Sequence, residues 1–319
     1  MRRQAVAFLL SALIPACAAA RSAKRIVLVS GDEEYRSEES LPQLAKILGT
    51  RHGFECKVLY AIDPADGTID PDLRTNIPGL EALDHADLLV LLIRFRDLPD
   101  SQMQHFVDYI ESGRPIVGLR TATHAFDLKS SPTYARYRWN SKVWDGGFGR
   151  QVLGETWIAH HGDHGHQSTR GILVKGEERH PILRGLHDGG IWGPSDVYEV
   201  RLPLPGDSIL LVLGQVVDGM HPNDPPAKGK KNDPMLPIAW VKSYTGARGK
   251  TARIFTTTMG ASQDFLSEGF RRLVVNACYW ALGMESRISA KLDVDLVGEY
   301  HPHAFGFGAY QKGMRPPAN

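Results

Sequence analysis

The run Ala86-Asp87-Leu88-Leu89-Val90-Leu91-Leu92-Ile93 decides the fold. It is apolar almost without interruption and shows no polar alternation, which is the pattern of a strand covered on both faces inside a parallel sheet. Upstream, Arg25-Ile26-Val27-Leu28-Val29-Ser30 reads as a second buried strand. Residues 40–52 follow as a helix, with Leu41, Leu44, Ile47 and Leu48 at helical spacing and Gly53 at its end. Residues 54–60 return to strand, closing a βαβ unit. Downstream, Asp100 is placed to cap a helix running through Ile110, with Met103, Phe106, Val107 and Ile110 on one stripe and Gly113 beyond it. A strand at 115–119 comes next. Further strands are expected at 169–174, 197–202, 209–215 and 252–258, and a closing helix at 264–283. This alternation predicts an α/β fold with a doubly wound, mainly parallel sheet. Residues 129–171, rich in Trp, Tyr, Gly and His, read as a long functional insertion over that sheet. Residues 221–237 contain five prolines and the run Lys228-Gly229-Lys230-Lys231, and read as a solvated surface loop.

The N-terminus has a separate character. Met1-Arg2-Arg3 precedes an Ala- and Leu-rich stretch that ends in Ala18-Ala19-Ala20, the layout of a secretory signal peptide over 1–20 with cleavage expected before Arg21. Export to a periplasmic or extracellular compartment follows, with lipidation at Cys17 as the minor alternative because Pro15 sits badly in a lipoprotein signal. No later stretch reaches the roughly 18 apolar residues that a membrane span needs. Cys56 and Cys278 remain, both among apolar neighbours, so no disulfide scaffold is expected. The formal net charge of +1 argues against a nucleic-acid surface and leaves small molecules as the expected partners. One domain is expected over 24–286, with 287–319 as an extension packed back on it.

Ligands of open parallel sheets bind outside the carboxyl ends of the strands, and those ends are strongly charged here. They read Asp32-Glu33-Glu34-Tyr35-Arg36, Arg94-Phe95-Arg96-Asp97 and Arg120-Thr121-Ala122-Thr123-His124. Such arginines suit an oxygen-rich ligand. The alternative is a structural ion-pair network of Arg94, Arg96 and Arg120 with the acidic turn. The seven-residue stretch His160-His161-Gly162-Asp163-His164-Gly165-His166 holds four imidazoles. His160, His164 and His166 are candidate ligands for a divalent metal such as zinc, manganese or iron, and a solvated His-rich loop is the plainer alternative. No phosphate-binding glycine loop follows any strand, which disfavours nucleotide cofactors. The turn after the fourth strand carries Arg120 and Thr121, so it offers neither a Cys nor a Ser nucleophile.

These residues, together with several short motifs, resemble the ThuA-like (trehalose-utilisation) proteins of the class I glutamine amidotransferase-like superfamily. The motifs are Gly118-Leu119-Arg120, Gly154-Glu155-Thr156-Trp157 leading into His160-His161, and His180-Pro181-Ile182-Leu183-Arg184-Gly185-Leu186. They continue with Asp196-Val197-Tyr198, Pro237-Ile238-Ala239-Trp240, residues 252–258 and Asn276-Ala277-Cys278-Tyr279-Trp280-Ala281. The resemblance implies a three-layer flavodoxin-like domain and a role in disaccharide or keto-sugar metabolism. Two departures stand out: Arg120 where many relatives carry His or Cys, and Gly260-Ala261 where they carry Gly-His. The resulting expectation is a sugar hydrolase or lyase with acid/base chemistry, His161, Glu155 and His124 being catalytic. Arg120, Asp32, Glu33, Arg94 and Trp157 would bind a small carbohydrate. A non-catalytic sugar-binding protein is the alternative.

Overall fold

The computed structural model describes residues 23–317, so the expected signal peptide and Cys17 lie outside the described residues. Its centre is a nine-stranded sheet in the order β2-β1-β3-β4-β9-β8-β7-β5-β6. The strands are β1 (Arg25–Gly31), β2 (Glu55–Tyr60), β3 (Leu88–Ile93), β4 (Ile116–Leu119), β5 (Ser168–Leu173), β6 (Ile191–Gly193), β7 (Ile209–Val217), β8 (Leu236–Thr245) and β9 (Thr251–Thr257). From β2 to β9 all pairings are parallel. From β9 onwards they are antiparallel and form a wing. Every residue of β3 is buried, as its unbroken apolar run requires.

Side chains alternate across the sheet, and the two faces bury different helices. Ile26 and Leu28 of β1 meet Leu41, Leu44 and Ile47 of α1 (Ser37–His52), and on the same face Phe270, Leu273, Val274 and Ala277 of α3 (Glu268–Ala281) pack. Val27 and Val29 meet Met103, Phe106 and Ile110 of α2 (Asp100–Glu111) on the other face. Three layers result, with the irregular segment after β4 completing the α2 layer.

Several local expectations change. Asp100 does not cap α2; it is the first helical residue, and its carboxylate accepts the hydroxyls of Ser131 and Thr133, the latter at 2.6 Å. The strand expected at 197–202 does not form. The Val197 carbonyl accepts the backbone N–H groups of His161 and Gly162, at 2.8 and 3.0 Å, so this segment is tied to the histidine loop instead of to a ladder. β6 and β8 replace it in the antiparallel wing. The lysine run is not wholly solvated either, because Lys231 donates to the carbonyl of His161. Cys56 and Cys278 are both free thiols.

Candidate active site at the strand ends

The turn after β1 buries three carboxylates in succession. Asp32 Oδ1 accepts the N–H groups of Glu34 and Tyr35, at 2.7 and 2.6 Å, and Oδ2 accepts the Thr121 hydroxyl. Burial, aided by neighbouring Glu33, pushes Asp32 up to about 6. Glu33 is gripped by Arg94 at 2.6 Å, Arg74 at 2.8 Å and Arg96 at 2.9 Å. Arg96, fully buried, also donates to the carbonyls of Pro71, Leu73 and Arg94. Thus Glu33 ties Arg74, Arg94 and Arg96 into one ion-pair network, while Asp32 is bonded within its own turn and to Thr121.

Arg120 follows β4 in the left-handed region, with φ 43°. The other left-handed non-glycine residues among those described are Arg36 and Phe95, in the turns after β1 and β3. Strained backbone is therefore concentrated at the ends of the parallel strands, a pattern common at functional sites. The Arg120 side chain is fully buried. One terminal nitrogen donates to the carbonyls of Asp196 and Thr258, both at 2.6 Å; the other donates to Asp196 Oδ1 at 2.6 Å and Tyr35 Oη at 3.0 Å. Its guanidinium lies 3.8 Å from the ring centre of Tyr198 and 4.4 Å from that of Tyr35. The expectation that Arg120 orients ligand oxygens is corrected: protein groups take both terminal nitrogens, and Arg120 holds Asp196.

Asp196 joins this arginine to two histidines. His160 Nδ1 lies 2.7 Å from Asp196 Oδ2, and His164 Nδ1 lies 3.1 Å from Oδ1. His164 Nε2 faces Glu34 at 3.1 Å. Against the upward push of burial, Arg120 and the two histidines hold the Asp196 carboxyl far below its usual range. Burial also acts upward on Glu34, but His164, Arg94 and Arg120 bring it below its ordinary value. Each His164 nitrogen meets a carboxylate that can only accept, so both must donate. Hydrogen bonds to Asp196 and Glu34 accordingly push this imidazole up to about 9. His160 differs, because Asp196 fixes its proton on Nδ1 and no described residue takes Nε2.

Rings frame this cluster. The Trp157 ring lies 4.9 Å from His160, His160 lies 4.4 Å from His164, and His164 lies 5.2 Å from Phe305. His124 is buried between Phe95 at 4.8 Å and Trp157 at 5.2 Å. Burial, then the charges of Arg94 and Arg120, hold it well below the usual histidine range, as a neutral imidazole. At the far side, Asp264 accepts the N–H groups of Gly260 and Ala261 at 2.8 and 3.0 Å, fixing the turn after β9.

Other expected residues lie outside the cluster. Glu155 is buried against Arg150 at 2.8 Å and Arg201 at 2.9 Å and also accepts the N–H groups of Thr156 and Arg201. His161 Nε2 meets the carbonyl of Lys231 at 3.0 Å. No hydrogen bond joins Glu155 to His161 among the described residues, so the expected proton exchange between them has no geometric basis. His166 projects into solvent beside Asp163. One ligand atom each from His160, His164 and Asp196 lies within 4.8 Å of the others. Asp196 therefore stands where His166 was expected in a metal-binding set. Asp196 was visible in the sequence only as part of a motif, and Tyr35 and Glu34 only as turn residues. Phe305 carried no signal, since nothing in the sequence ties residue 305 to residue 164.

The fold and site define an α/β protein with a histidine–carboxylate cluster held by Arg120 from the turn after β4. A family model described as ThuA, trehalose utilisation, matches residues 25–281, and the chain belongs to this family. Among solved structures it is similar to a ThuA-like protein from Parabacteroides merdae, at 16% identity and TM-score 0.52, covering 90% of this chain and 98% of that one. It is also similar to a ThuA-like protein from Bacteroides uniformis, at 16% identity and TM-score 0.46, covering 83% and 94%. Among curated proteins, none matches the chain.

Proposed function

We propose that this protein is a carbohydrate-active enzyme, a hydrolase or lyase acting on a sugar or keto-sugar, with His160 as its general base. The observation that carries this reading is the 2.7 Å contact between His160 Nδ1 and Asp196 Oδ2. A buried anionic carboxylate on Nδ1 fixes the tautomer and leaves the Nε2 lone pair available, the orienting logic of histidine–carboxylate dyads. The charges of Arg120 and His164 beside it favour negative charge developing on a substrate oxygen, whether from an attacking water or from an enolate next to a keto group. Neutral His124 and the Trp157 ring supply further contacts for a polyhydroxylated ligand. The family's description as trehalose utilisation supports a sugar substrate.

A second reading adds a divalent cation. Two imidazoles and one carboxylate are a familiar donor set for zinc, manganese or iron, and His160, His164 and Asp196 would hold it if the ion displaced one of the two protons of His164. Such an ion would polarise a carbonyl or a bound water. It would have to sit beside Arg120, which already contacts Asp196 Oδ1 at 2.6 Å.

The test is turnover of disaccharides and their keto derivatives by the wild type and by His160→Gln, with and without added divalent metal. General-base catalysis predicts a loss of about 10²–10⁴-fold in His160→Gln, with an unchanged melting temperature. Full activity in that variant refutes the assignment. Tight binding without turnover in the wild type favours a sugar-binding protein instead.

A further inference from the structure

The family match ends at residue 281, yet the chain continues across the strand ends and reaches the site. Its tail is fastened on both sides. Tyr300 Oη donates to the carbonyl of Ser262 at 2.8 Å, and the His303 N–H donates to Glu39 at 2.8 Å. The His303 carbonyl in turn accepts the Ser262 hydroxyl at 2.9 Å. Gly306 N–H donates to the carbonyl of Glu34 at 2.8 Å, and Arg36 donates to the carbonyl of Gly306. Further along, the Met314 carbonyl accepts the Ile69 N–H at 2.7 Å.

Between these anchors runs Phe305-Gly306-Phe307-Gly308, whose two rings go to different places. Phe305 is half-buried, 5.4 Å from Tyr35 and 5.2 Å from His164. Phe307 is 62% exposed and lies against the Arg94 guanidinium at 5.0 Å. Phe305 and Trp157 thus stand at opposite ends of a row of rings with His160 and His164 between them.

Resting on the sugar reading of the site, we infer that the tail completes it and that Phe305 is a substrate-binding platform for the second ring of a disaccharide. An aromatic face suits the apolar C–H face of a sugar ring. With Trp157 against His160 and Phe305 against His164, a two-ring substrate lies along the row with its inter-ring bond beside the two histidines. A monosaccharide derivative occupies one flank only. The tail therefore selects for length.

The test compares kcat and KM for a keto-disaccharide and the matching keto-monosaccharide in the wild type, Phe305→Ala, Phe305→Trp, Phe307→Ala and His160→Gln. Binding to each is followed in parallel by calorimetry. Phe305→Ala should raise KM for the disaccharide about tenfold with little change for the monosaccharide, an aromatic contact of ordinary strength. Phe305→Trp should restore it, and Phe307→Ala, a change in the same tail away from His164, should leave both substrates unaffected. An unchanged ratio of disaccharide to monosaccharide KM in Phe305→Ala, while His160→Gln is inactive, overturns the platform and leaves the functional reading standing. Activity retained in His160→Gln overturns that reading instead. A wild type that neither binds nor turns over either sugar overturns both.

Discussion

The decisive residue is Asp196, because one buried carboxylate organises a guanidinium and two imidazoles with different sets of partners. His160 shares it through a single nitrogen, whereas His164 is bonded to a carboxylate on both sides and is held as a cation. This difference has a pH signature. The folded-state pKa of His164, about 9, lies above its ordinary value of 6.5, so the folded protein binds this proton more tightly than the unfolded chain. Its stabilising contribution is fully present below pH 6.5 and is lost as pH rises through about 9. Chemical denaturation of the wild type and His164→Gln should show this as a difference in stability that shrinks across that window. One proton sets a ceiling of about 1.4 kcal/mol per pH unit, lowered by the solvent that reaches the ring. Parallel stability curves from pH 6.5 to 9 would show that His164 is not held as a cation.

At the scale of elements, the site depends on two irregular segments pressed together without intervening side chains. The short turn Gly149–Leu153 passes so close to the end of β4 that a Cβ on Gly149 would lie 1.9 Å from the carbonyl oxygen of Thr123. That carbonyl belongs to the 3-10 turn Arg120–His124. Gly149→Ala should therefore displace the turn bearing Arg120 and His124. It should lower stability by about 1–3 kcal/mol, within the range of overpacking, and reduce any sugar turnover more than tenfold. Retained stability and activity in Gly149→Ala would show that this approach is not needed. Such contacts were illegible in the sequence, where 129–171 offers no periodicity to pair with another segment. By contrast, β1, α1, β3, α2 and α3 were legible because each shows its buried face in its own spacing. β6 is three residues long and β8 begins at Leu236-Pro237, at the end of a proline-rich loop, so neither gave a pattern to read.

At the scale of the molecule, one core crosses the boundary between the parallel and antiparallel halves of the sheet. Ile26 and Leu28 of β1 belong to the same buried cluster as Val212 of β7 and Ile238 of β8, with α3 packed across it. The tail contributes Ile288 and Val294 to that cluster. No layer can be removed without exposing apolar surface of another, so the chain should unfold as one unit. Far-ultraviolet circular dichroism and tryptophan fluorescence should give coincident denaturation curves. Two separated transitions would mean that the antiparallel wing is an independent domain.

The sequence by itself determined which segments of the parallel half are strands and helices, and the family. The elements follow from local hydrophobic period, and the family from the short motifs that resemble it and the family model that matches residues 25–281. Tertiary structure alone decided which histidines meet charged partners. His160, His161, His164 and His166 are equivalent as letters, and only the fold brings Asp196, Glu34 and Arg120 to two of them while sending the others to a backbone carbonyl and to solvent. The physical reason is that a side chain's protonation and reach depend on the charges and burial around it, and those partners come from segments far apart in the chain.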